Sequence, residues 1–228
     1  MADERKGKLI VLEGTDGSGK TEQFNKLLLR LPPEVRFKSI DFPRYSDPAA
    51  YFVENYLRGH YGDAVGPKLA SIFYALDRFD SALSIRKWLE EGKVVISNRY
   101  TGSNMGHQGA KIESAEERKK LFSWLYELEY ELCEIPKPDL NIILHVPAEV
   151  AYELIEKKAS RAYLKGAKRD IHEANLEHLK SAERSYLEMA QLFPNDFVLV
   201  ECTENGKLLS IEEIHEKVWA IVKKALNL

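Results

Sequence analysis

The chain has 228 residues, 44% of them hydrophobic and 30% charged, enough for one good core and a length that favours a single domain. Its net charge of -3 gives no overall attraction to nucleic acid or to an anionic membrane, so anions must be held by local clusters of residues. With only Cys133 and Cys202 as thiols, no charged-then-apolar leader and no apolar run long enough to span a bilayer, the expected home is the cytoplasm.

Five short, branched, apolar runs alternate with longer amphipathic stretches. "KLIVLE" at 8-13 reads as a strand buried on both faces and leads into a glycine-rich loop; "VRFKSI" at 35-40 reads as the second strand. Asp47 and Pro48 supply an N-cap and a first-turn proline for a helix to about Arg58, and Pro67 opens a long helix that Gly92 ends. "VVIS" at 94-97 is the third strand, followed by a helix from Ser114 to about Cys133, and "LNIILHV" at 140-146 is the fourth. Helices over about 148-158, 172-193 and 210-226 surround the fifth strand, "FVLVE" at 197-201. Strand and helix in alternation predict an α/β fold: a mostly parallel five-stranded sheet flanked by helices, with ligand sites at the carboxyl ends of its strands.

The loop between the first strand and its helix is Gly14-Thr15-Asp16-Gly17-Ser18-Gly19-Lys20-Thr21, a match to G-x-x-x-x-G-K-[ST] in the strand-loop-helix context that this motif requires. Its glycines let successive backbone N-H groups turn toward phosphate oxygens, and the helix behind adds its positive end. Lys20 would neutralise charge on the β and γ phosphates of ATP, and Thr21 would place its hydroxyl on Mg²⁺. Such a loop names a nucleoside triphosphate and leaves kinase, GTPase and motor open. Arg44 follows the second strand and Arg99 the third, on the side where the loop opens, so together they look like a second anion site. An acceptor that already carries phosphate is anionic near neutral pH and attacks without a general base, which leaves alignment and charge neutralisation to the protein. A nucleoside kinase would need a carboxylate for a hydroxyl proton. Asp41 stands roughly where such a base could sit, but Arg44 beside it favours the phosphorylated acceptor.

Glu13 to Lys20, "FPRY" at 42-45, "RGHYGD" at 58-63, "FYALDR" at 73-78, "NRYTGSNMGHQG" at 98-109 and "KPDL" at 137-140 come in the order and approximate spacing of one family. On these residues the chain resembles the thymidylate kinases, P-loop nucleoside-monophosphate kinases that convert dTMP to dTDP with ATP and Mg²⁺ in dTTP synthesis. The resemblance covers nearly the whole chain. It implies that Phe42 and Arg44 lie at the acceptor nucleotide, Arg44 on its phosphate, and that Arg99 bridges that phosphate and the transferring one. Asp16 would meet the sugar hydroxyl or the Mg²⁺ shell. Tyr74 takes the place of the phenylalanine that stacks on thymine, Arg78 bonds the base, and Ser103, Asn104 and Gln108 read the base edge and line the sugar pocket. Tyr74 and Arg78 are four residues apart, the spacing of one helix face. Phe73 is the expected core member beside them. The family also implies a homodimer through the helices around 67-91 and 114-133, with small-molecule nucleotides as partners and neither nucleic acid nor membrane.

"KKASRAYLKGAKR" at 157-169 carries six basic residues and no acid, and it falls where the family places a lid over ATP. The expected organisation is therefore one P-loop kinase domain over 1-228 with a short basic lid at about 157-171. No arginine stands in the P-loop, so Arg161 or Arg169 of the lid become the candidates for neutralising the transferring phosphoryl, and closure would exclude water. Glu173 and Tyr186 are further candidates to line the site. The chain departs from the family at Asn98, where aspartate is usual and Glu13 or Asp16 would have to compensate for metal binding, and at His107 and His145. The alternatives are a kinase for another pyrimidine monophosphate, which would differ in the base pocket, and a non-catalytic ATP-binding regulator, which would not need an acceptor clamp.

Overall fold

The computed structural model describes residues 7–163 and 175–228. Strands β1 (Lys8–Glu13), β2 (Phe37–Asp41), β3 (Val94–Asn98), β4 (Leu140–His145) and β5 (Phe197–Glu201) form one sheet in the order β2-β3-β1-β4-β5, parallel at every pairing. Eight helices pack against it: α1 (Lys20–Arg30), α2 (Tyr51–Leu57), α3 (Pro67–Glu90), α4 (Thr101–Gly109), α5 (Ala115–Tyr126), α6 (Ala148–Tyr163), α7 (Leu176–Leu192) and α8 (Ile211–Leu226). The fold class is the expected one. Among the described residues no helix is long and apolar enough to cross a membrane.

Alternation along β1 distributes the core. Ile10 and Leu12 point into a cluster with Leu27 of α1 and Val218 and Val222 of α8, whereas Leu9 and Val11 point the other way, against Ile85 and Leu89 of α3. A third cluster joins Met105 of α4, Phe122 and Leu125 of α5, and Tyr186 and Met189 of α7. β1, β3 and β4 are buried on both faces as predicted, but β2 and β5 are not. Both are edge strands with one neighbour each, so helices cover them incompletely.

Local chemistry accounts for several boundaries. Asp47 accepts a hydrogen bond from the Ala49 amide at 2.9 Å, and the chain enters α2 through a 3₁₀ turn at Pro48–Ala50. Ser114 caps α5, but the helix expected to run to about Cys133 opens at Glu127–Leu132 into a π-helical turn. α6 runs on to Tyr163, beyond the predicted end near 158. Two features were not predicted. One is α4; the other is a hairpin of β6 (Thr203–Glu204) and β7 (Lys207–Leu208) about Asn205-Gly206, whose φ angles of 50° and 73° suit the tight turn.

Candidate functional site

β1 carries Glu13 and the P-loop to the carboxyl edge of the sheet, where α1 begins at Lys20 with no side chain capping its first turn. Those helix-terminal amides are therefore available to an anion. Gly19 has φ 80°, and a Cβ there would meet nothing within 4 Å, so the loop is open on that side. Lys20 is buried and folds back on the loop, donating to the Thr15 carbonyl at 2.6 Å and more weakly to Ser18 Oγ at 3.4 Å. Burial, then the charge of Arg99, pulls its ammonium down to about 7 despite the nearby carboxylates. Thr21, next on the helix, is exposed.

Arg99 is the hub between the P-loop and the acceptor side. It follows β3 with φ 66°, a left-handed backbone that costs a non-glycine residue about 1–2 kcal/mol. Its amide donates to the Leu12 carbonyl at 2.9 Å, and Ser97 Oγ donates to its carbonyl at 2.6 Å, which holds that conformation. The guanidinium then spans the site: Nη2 pairs with Asp16 of the P-loop, and Nη1 reaches Ser103 Oγ at 3.2 Å and His107 Nε2 at 2.9 Å. Burial opposes the charge of Arg99, but Asp16 and other nearby groups raise its pKa overall; burial likewise opposes the charge of Asp16, and Arg99 outweighs it. His107 is held neutral, first by burial and then by the neighbouring cations, so its Nε2 accepts from Arg99.

Behind this hub Glu13 is fully buried and engaged through both oxygens. Oε1 accepts from the Tyr100 amide at 2.8 Å, and Oε2 from Ser103 Oγ at 2.5 Å and the Tyr186 hydroxyl at 3.4 Å. Burial raises its pKa. Glu13 therefore supports the site and has no oxygen to spare for a metal. Ser103 is likewise committed, to Glu13, Arg99 and Tyr186.

The acceptor side is a cleft whose walls include Phe42, Tyr74, Arg78, Asn104, Gln108 and Lys111, with Asp16 and Arg99 at the end toward the P-loop. Arg78 gives Nε and Nη2 to Glu129, and its Nη1 has no protein partner among the described residues. Asn104 gives Nδ2 to the Ser71 carbonyl at 3.0 Å and to Glu129 Oε1 at 3.1 Å, while its Oδ1 is buried without a partner. The cleft thus offers a donor from Arg78 and an acceptor from Asn104. Tyr74 lines it, while Phe73 beside it is buried and stacks on Phe52, with ring centroids 5.3 Å apart. Gln108 accepts from Lys111 Nζ at 2.8 Å.

Arg44 sits beside the cleft in a cage of carboxylates: Nε to Asp77 and Nη2 to Asp80 at 2.8 Å each, and Nη1 to Asp47 at 3.4 Å. The neighbouring Phe42, Pro43 and Tyr45 line the cleft. The side chain of Arg161, together with Arg169 and Glu173, lies outside the described residues, as does most of the basic segment. Sequence reasoning missed Lys111, Tyr56 and His178 on the cleft wall, and Glu129 behind it. For Glu129 a signal existed: an acid four residues after Leu125 and seven after Phe122, on the face where α5 is buried.

Comparison with known proteins agrees with this geometry. The family model described as Thymidylate kinase matches residues 12–218. The thymidylate kinase of Mycobacterium tuberculosis is 31% identical over 185 residues, covering 80% of this chain and 85% of that one. A probable thymidylate kinase of Pyrococcus abyssi is 29% identical over 226 residues, 97% of this chain and 98% of its own. Among solved structures, the thymidylate kinase of Candida albicans superposes with a TM-score of 0.74 at 23% identity, covering 99% of this chain and 95% of that one, a likeness of fold.

Proposed function

The chain belongs to the thymidylate kinase family and is a transferase of that kind, and we propose that it moves the γ-phosphoryl of ATP to the phosphate of dTMP, giving dTDP for dTTP synthesis. The observation that carries the acceptor assignment is the pair on the cleft wall, a free Arg78 N-H and the buried, unpartnered Asn104 Oδ1. Thymine offers the complement, an O4 acceptor beside an N3-H donor. Cytosine offers a donor and an acceptor in the reverse order, which would leave both protein groups unpaired in a buried pocket. Tyr74 supplies the aromatic face for stacking.

The acceptor phosphate enters toward Arg99, with Arg44 beside the cleft as its second positive group. An oxygen of that phosphate attacks directly, so the site needs no base. Its work is to hold two anions in line, which Lys20 and Arg99 do from opposite sides. The uncapped amides of α1 and the eight residues Gly14 to Thr21 fit the ATP phosphates. Mg²⁺, when bound, neutralises charge between the β and γ oxygens. Thr21, with an exposed hydroxyl, and Asp16, whose carboxylate also pairs with Arg99, are the residues that would hold it. The basic segment at about 157-171, with Arg161 and Arg169, completes the proposed single domain as a lid that excludes water.

The protein is proposed to act in the cytoplasm as a homodimer. α3 exposes Leu69, Leu76, Phe79 and Leu83, the last at 75%, in one stripe with spacings of seven, three and four residues, which a second copy would cover. An ADP-release assay over a panel of monophosphates tests the assignment. The expected order is dTMP first, dUMP weaker by the one missing methyl, roughly 10–200-fold at most, and dCMP and purines last. Preference for dCMP or a purine would overturn the thymidylate assignment and keep the kinase; no turnover with any of them would leave only an ATP-binding regulator.

A further inference from the structure

The π-helical turn Glu127–Leu132 breaks the register of α5 and sends one acidic side chain inward. Glu129 has none of its surface exposed, and its carboxylate collects four donors: Arg78 Nε at 2.5 Å and Nη2 at 2.7 Å, Thr101 Oγ1 at 3.1 Å, and Asn104 Nδ2 at 3.1 Å. Arg78 and Asn104 are the two residues that face the base edge. An ionised carboxylate only accepts, so it tolerates a single orientation of the Asn104 amide, with Nδ2 inward and Oδ1 toward the cleft. The Ser71 carbonyl, 3.0 Å from the same Nδ2, enforces the same choice. The two-pronged bond to Arg78 fixes the plane of the guanidinium and leaves Nη1 for the cleft.

We propose that Glu129 is the positioning residue that sets base specificity, by holding Arg78 as a donor and Asn104 as an acceptor. Glu129 lies behind both side chains and acts on the base only through them. The proposal deepens the kinase assignment above and rests on it. A purely structural Glu129, present only to neutralise Arg78, would affect stability and overall activity but treat both pyrimidines alike.

Glu129→Gln keeps the shape and adds donors. Its amide would face the Asn104 Nδ2, and the pair is relieved when Asn104 turns its Oδ1 inward and presents Nδ2 to the base, which matches the N3 acceptor of cytosine. Steady-state kinetics with dTMP and dCMP read the effect as the ratio of their kcat/KM values. In Glu129→Gln this ratio is expected to fall at least about tenfold, with most of the change in the KM for dTMP, as for loss of a buried hydrogen bond. Since the neutral variant leaves Arg78 uncompensated, Glu129→Asp is the second variant: it keeps the charge but withdraws the carboxylate from its four donors, and the ratio is expected to fall at least about threefold. An unchanged ratio in either folded variant, with activity on both substrates lowered in parallel, overturns the proposal. A wild-type protein that already prefers dCMP would instead overturn the assignment on which the proposal rests.

Discussion

Gly106→Ala is a substitution for which secondary-structure propensity and packing predict opposite signs. In the interior of α4 the change should favour the helix by about 0.5–1 kcal/mol. Packing reverses that. A Cβ on Gly106 would lie 2.3, 2.6 and 2.7 Å from three carbons of the Tyr186 ring, where ordinary carbon contacts sit near ~3.5–4.0 Å. Either α4 and α7 separate or the ring moves by about 1 Å. Tyr186 is buried, with its hydroxyl 3.1 Å from Ser103 Oγ, and Ser103 in turn touches Arg99 and Glu13. Overpacking of this kind costs about 1–3 kcal/mol, so the net loss is about 1–2 kcal/mol, or about 2–8 °C in Tm for a domain of this size. The same displacement reaches Arg99, and a misplacement of about 1 Å can cost about 10²-fold, so kcat at saturating ATP and dTMP should fall by about 10–100-fold. Gly66→Ala is the control: φ is -75° and nothing lies within 4 Å of its Cβ, so stability and kcat should stay near wild type. Thermal unfolding and turnover of the two variants decide. A Gly106→Ala protein as stable and as fast as wild type would refute the argument.

Lys20 titrates near 7 in the free protein, so above neutrality it must take up a proton as a polyphosphate binds. ATP affinity should weaken by up to about tenfold per pH unit between pH 7 and 9, and calorimetry at pH 8 in two buffers of different ionisation enthalpy should show proton uptake that Lys20→Ala lacks. Equal heats in the two buffers would count against it. His145 joins β4, β5 and α7 by bonding Glu201 at 2.6 Å and Glu183 at 2.8 Å; burial alone would lower its pKa, but these partners raise it above 6.5. Its folded value therefore exceeds its unfolded one, and its stabilisation is complete below pH 6.5 and lost as pH rises through the folded value. The Tm gap between wild type and His145→Asn should shrink from acid to alkaline pH; a constant gap would show that the imidazolium contributes nothing.

What could be read in the sequence followed from whether the signal was local. The P-loop lies within eight residues, and the five strands announce themselves as apolar runs, so sheet and triphosphate site were legible together. α4 was not. Its sequence, TGSNMGHQG, holds three glycines and several poor helix formers, and it is helical because those glycines let it lie against other elements: a Cβ on Gly106 would strike Tyr186, and one on Gly109 would lie 2.3 Å from Ser185 Oγ. Tertiary contact overrides propensity there. The Asn205-Gly206 turn, by contrast, was a local signal that went unread. The partners of Arg44 and Arg78 depend on packing, since Asp77 and Glu129 are 33 and 51 residues away from them in sequence.

The departure at Asn98 illustrates the same limit and has a physical reason. Read alone, asparagine in place of aspartate removes a charge from the metal shell. In the fold, residue 98 is registered opposite Asp41 on β2, and Asn98 Nδ2 donates to Asp41 Oδ1 at 3.0 Å. The carboxylate is present, but one strand over. An aspartate at 98 would bring two carboxylates within hydrogen-bonding distance in a partly buried place where burial already raises the pKa of Asp41, and only one of them could stay ionised. Asparagine is therefore the neutral half of a pair whose charged half is Asp41. Glu13, the other group that could have compensated, is fully engaged by Tyr100, Ser103 and Tyr186. The negative charge available at this edge of the sheet then comes from Asp16 and Asp41 against the positive charge of Lys20 and Arg99, a balance that leaves room for an anionic ligand only if a cation arrives with it.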